Sequence, residues 1–106
     1  MSRPDELMRL IETAGAEATR LRAAVRDGED VAADRLARLI EDMHALAGGL
    51  DPDQAASAKP RMLGLLAEVD LLQAEMTEAH AALEAELQNA TARHRAVNAY
   101  GRPPGR

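Results

Sequence analysis

Between Arg61 and Val97, apolar residues recur at Met62, Leu65, Val69, Leu72, Met76, Ala79 and Leu83, in alternating steps of three and four. After one extra step of four the pattern continues at Leu87, Ala90 and Val97. Such a repeat keeps one seam of an α-helix turned toward a neighbouring helix. Neither Pro nor Gly interrupts the stretch after Gly64. At ~1.5 Å per residue the helix reaches roughly 50 Å, about twice the width of a compact domain of this size. The expected fold is therefore all-α and elongated, an antiparallel helical hairpin or three-helix bundle with coiled-coil packing. Its expected product is a surface rather than an active site.

Composition agrees with a thin seam. Of the 46% hydrophobic residues, 23 are Ala, and the larger ones are led by 14 Leu and 5 Met. Phe and Trp are absent and there is a single Tyr. A thick core needs bulky side chains, whereas Ala lets two or three helices approach closely. Ala and Leu together with 29% charged residues point to long helices. The chain has no Cys, hence no disulfide framework and no thiolate chemistry. Its formal charge of −5 argues against general nucleic-acid binding. The opening Met-Ser-Arg-Pro-Asp-Glu shows no apolar signal region, and no apolar run approaches the ~20 residues that span a bilayer.

The chain reads as a single helical domain over 1–106. Ser2 is a candidate cap and Pro4 a first-turn residue of the opening helix. Its stripe is Leu7, Ile11, Ala14, Ala18, Leu21 and Val25. After Asp27-Gly28 a stripe resumes almost in phase at Ala32, Leu36, Leu39, Met43, Leu46 and Leu50. The shared phase favours one bent or continuous helix; a turn at Asp27-Gly28 is the alternative. The expected first helical half thus covers 4–48. A connector comes next over 49–60, containing Pro52 with Asp51 as the cap of a short helix, and Pro60 in the first turn of the next. The long helix covers 61–98 and runs back antiparallel to the first half. Residues 99–106, ending Tyr-Gly-Arg-Pro-Pro-Gly-Arg, read as a flexible tail.

Few constellations carry chemistry. Glu41 and His44 share a helical face, but a carboxylate-bridged metal bundle needs a second such pair and two further Glu residues. A solvated helix surface accounts for them better. His80 and Glu84 lie one helical turn apart and suit a surface pair. Ser2 and Ser57, the only serines, sit outside any nucleophile elbow. Gly48-Gly49 lacks the Lys-Ser/Thr of a phosphate loop. The expectation is no enzyme, no cofactor and no metal. Between Met62 and Ala92 the long helix carries Glu68, Asp70, Glu75, Glu78, Glu84 and Glu86 with no Lys or Arg among them, and Arg93 and Arg95 follow, with Arg102 and Arg106 beyond. Positive charge at a helix C-terminus complements the macrodipole, so part of this order is structural. Met43, Met62 and Met76 lie on the stripes and suit core gaps better than a repacking client surface. Leu63, Leu66 and Leu71 widen the apolar face, which calls for a third helix, self-association or an amphipathic client helix.

Three features carry a resemblance to a known family. One is the charged step at 21–30, Leu-Arg-Ala-Ala-Val-Arg-Asp-Gly-Glu-Asp. Another is the apolar run Leu36-Ala-Arg-Leu-Ile-Glu-Asp-Met-His-Ala-Leu46. The third is the end of the long helix in Ala99-Tyr100-Gly101, with Gly105 beyond. In these the chain resembles the flagellar type III export chaperones of the FlgN family. The resemblance implies a cytoplasmic chaperone that binds the amphipathic C-terminal helices of hook-filament junction (hook-associated) proteins. It implies that such clients stay unassembled until they reach the export apparatus. Candidate client contacts are Leu72, Met76, Leu83, Leu87, Val97 and Tyr100, residues that equally suit burial against the first helix. The protein is then a monomer or homodimer with no nucleic-acid partner and no stable membrane insertion. The alternatives are a homo-oligomeric coiled-coil scaffold and a small helical regulator of another protein.

Overall fold

The computed structural model describes residues 2–100, the side chain of Tyr100 excepted. They form three helices: α1 (Arg3–Arg26), α2 (Asp34–Ala47) and α3 (Pro52–Tyr100). The all-α expectation holds. The chain divides into two units, Met1–Glu75 and Met76–Arg106.

The first unit is a three-helix bundle. Ser2 caps α1 by accepting a hydrogen bond from the Asp5 backbone N–H, with Asp5 and Glu6 in the first turn favouring the helix dipole. The expected stripe is the buried one: Leu7, Ile11, Ala14, Ala18 and Leu21 all lie in the core. Ala14 and Ala18 are fully covered, as a close helix approach requires.

The expectation of one continuous first half is corrected at the end of α1. Gly28 has φ +75, and α1 ends in paired bonds from Gly28 N–H to the Val25 carbonyl and from Glu29 N–H to the Ala24 carbonyl. This is the Schellman arrangement, which needs a left-handed residue that Gly supplies without a Cβ penalty. The shared phase across Asp27-Gly28 records which faces are apolar. It says nothing about whether the backbone continues. α2 therefore turns back, with Leu36 and Met43 buried and Leu39, Leu46 and Leu50 half-buried, while Ala32 is exposed. Its direction is antiparallel to α1, because Arg35 at its start acts on Glu17 and Gly49 just past its end accepts a bond from the Arg3 guanidinium.

The expected connector 49–60 and helix start at 61 are also corrected. α3 begins at Pro52, and Pro60 lies inside it. The start is a capping box: the Asp51 carboxylate accepts from Gln54 N–H at 2.8 Å, and the Gln54 side chain accepts from Asp51 N–H at 3.2 Å. One reciprocal cap starts the helix early enough that Pro60 removes a single interior donor rather than setting the boundary. The packed stripe of α3 begins a turn sooner than expected. Ala58, Leu65 and Leu72 are buried, and Met62 and Val69 between them are half-buried.

Within this unit α3 runs parallel to α1. Near its start, Asp53, Gln54, Ser57 and Ala58 share a groove with Pro4 and Met8. Further along, Glu75 accepts from Arg22 at 2.7 Å and lies 3.7 Å from Arg26. Contacts that advance together along both helices require the same direction. The antiparallel return expected of the long helix holds for its relation to α2, not to α1.

Among the described residues the one buried charged side chain is Glu17, 6% exposed. Its hydrogen bond from Arg20 holds its carboxyl below the ordinary value of 4.5. Burial opposes this, and the charges of Arg20 and Arg35 add to it. A lowered folded-state pKa stabilises the fold above the unfolded value and loses that contribution as pH falls through the folded one. Glu17→Gln is expected to cost on the order of 1 kcal/mol at neutral pH. It should also flatten the acid limb of stability, measured by urea unfolding from pH 7 to below the ordinary carboxyl range. An unchanged acid limb in the variant would assign that limb to other carboxylates.

Candidate functional site

Among the described residues no group of three or more His, Cys, Asp or Glu is placed to hold a metal ion. Glu41 and His44 are exposed on α2. The expected pair of His80 and Glu84 forms at 3.5 Å on open surface, with side chains 74% and 64% exposed. Asn98 and His94 are also linked one turn apart, at 3.1 Å. These contacts brace a helix surface and leave no buried nucleophile or base among them.

The second unit offers apolar surface. From Thr77 to Ala99 every residue of α3 is exposed. The large apolar ones are Leu83 at 54%, Leu87 at 59% and Val97 at 66%. With Ala90 and His94 they advance in steps of four and three, which at ~100° per residue confines them to an arc of roughly 80°. The stripe is open to water. Its edges are charged: Glu86 and Arg93 flank one side, Glu84 the other.

The six candidate contacts separate accordingly. Leu83, Leu87 and Val97 share the exposed face. Leu72 does not belong with them: at 2% exposure it is sealed in the first unit, and this corrects its expected role. The repeat that put Leu72 on the same stripe as Leu83 is real, but α1 ends at Arg26, alongside Glu75, so only the earlier turns are covered. Met76 is half-buried, at the first position of the second unit. The expected tail start at 99 is corrected, since α3 includes Ala99 and Tyr100; the Tyr100 side chain and residues 101–106 lie outside the described residues.

Two further surfaces lie on the first unit. Leu63, Leu66 and Leu71 are exposed, on the side of α3 away from Leu65 and Leu72. An open groove of about 360 Å³ is lined by Pro4, Met8, Asp53, Gln54, Ser57 and Ala58. No spacing in the sequence signals this groove, because it exists only once α1 and the start of α3 lie parallel.

Comparison of the chain with protein-family models, with curated proteins and with solved structures finds no match. No helix among the described residues is long and apolar enough to cross a membrane.

Proposed function

We propose that this protein is a non-enzymatic, cytoplasmic export chaperone that lends an exposed helical face to an amphipathic helix of its client. The clients are the hook-associated proteins of the flagellum, whose C-terminal helices it shields from assembly before type III secretion. The observation that carries the reading is the unpaired apolar stripe of Leu83, Leu87 and Val97, in a chain whose first unit already fills its own core. Such a stripe is costly to keep in water and suits a partner that supplies an amphipathic helix. Binding needs no chemistry beyond burial. Leu83 and Leu87 are already nearly half covered, so covering the rest of each is worth about 1 kcal/mol, and helix ordering in the client offsets part of that.

The test is titration calorimetry of the whole chain with a C-terminal peptide of a hook-associated protein. One-to-one binding is expected, and the double variant Leu83→Ala/Leu87→Ala should weaken it by at least about tenfold. Absence of binding, or equal binding by the variant with its helicity intact, would sink the reading.

A further inference from the structure

We propose that the helix of the second unit pairs side by side and antiparallel with the same segment of a second copy of the chain, Leu87 of each copy packing over Ala90 of the other. Bulk and charge along one stripe carry the pairing; it takes up the same stripe as the client helix of the proposed function, so a bound client helix displaces the second copy.

In an antiparallel pair one helix advances as the other retreats. Seating Leu87 over Ala90 therefore sets Leu83 over His94 and His80 over Val97. Each layer then joins one larger and one differently shaped side chain, so the two Leu residues fill the space that Ala90 leaves. A parallel pair would stack Ala90 on Ala90 and His94 on His94, which leaves a gap and sets two imidazoles together.

Charge selects the same direction. Glu86 immediately precedes Leu87, and Arg93 follows Ala90 by three residues, so both sit on one edge of the stripe. Antiparallel pairing brings those edges together. Glu86 of each copy meets Arg93 of the other, and the twofold axis makes the contact twice. Parallel pairing places Glu86 opposite Thr91 and gives neither charge a partner. Among the described residues neither Glu86 nor Arg93 enters an ion pair within the chain. The acids-first, bases-last order of the segment is thus self-complementary only when reversed. The macrodipole explains Arg near a C-terminus, but it does not place Glu86 and Arg93 on the same edge.

The test is sedimentation equilibrium of the full chain over a wide concentration range, with disulfide trapping for direction. The chain has no Cys, so single cysteines report cleanly. A reversible dimer is expected. Glu86→Arg and Arg93→Glu should each weaken it at least about tenfold, and the double exchange should restore it. A mixture of His80→Cys and Val97→Cys proteins should give the mixed disulfide, whereas each protein alone should give almost none. All these positions are on open surface, and circular dichroism verifies that each variant keeps its helix. A chain that stays monomeric at every concentration overturns the proposal and leaves client binding to stand or fall by calorimetry. Disulfides formed within each single-cysteine protein would show parallel pairing and overturn it as well. So would a double exchange that fails to restore the dimer.

Discussion

Leu72→Ala is expected to destabilise the protein by about 3 kcal/mol, the middle of the range for a buried Leu truncated to Ala. Leu72 is 2% exposed and stands on the packed stripe of α3 two turns beyond Leu65. The first unit contains neither Phe nor Trp to refill the hole. The same substitution at Leu87, 59% exposed, should change the stability of dilute protein by less than about 0.5 kcal/mol. Denaturant unfolding of both variants measures the contrast. Equal losses at the two positions would mean that the second unit is packed as tightly as the first. It would also remove the basis for treating Leu87 as an offered surface.

Pro60→Ala is expected to act in the opposite direction, raising stability by about 2 kcal/mol, the difference between two effects. An interior Pro removes one backbone hydrogen bond and presses its ring on the preceding turn, at a cost near ~3 kcal/mol. Restricting the unfolded chain returns up to about 1 kcal/mol of that. Both Pro60 and Ala56, whose carbonyl loses its donor, are exposed, so the substitution touches no core packing directly. Thermal unfolding tests it. A lower midpoint would mean that a bend at Pro60 is needed to lay Ala58 and Leu65 against their neighbours. Removing it would then cost more packing than the recovered bond supplies.

The stripes were legible because periodicity reports burial directly. Leu7 to Leu21 and Leu65 to Leu72 lie where the three-four repeat puts them. Caps at Ser2 and Asp51 were readable for the same local reason. Breaks were harder. A Gly accepts a left-handed turn without demanding one, so Gly28 was compatible with both a helix and its end. Pro60 misled in the other sense: Pro favours a first turn, but the strong cap at Asp51 outweighs it. The candidate face was half legible. Sequence spacing places Leu72 and Leu83 on one seam and cannot say where the covering helix stops. That depends on the length of α1, which only the turn at Gly28 decides.

The parallel alignment of α1 and α3 has an entropic side. Arg22 and Glu75 lie 53 positions apart. Closing that span as one flexible loop costs ~2 kcal/mol more than closing a turn of about seven residues. α2 removes most of the difference. Once docked, it divides the span into the short links 27–33 and 48–51, and α3 is delivered to the start of α1 as the next short step. The middle helix therefore contributes more than its buried Leu36 and Met43. It turns a contact between distant positions of the chain into the sum of two local steps.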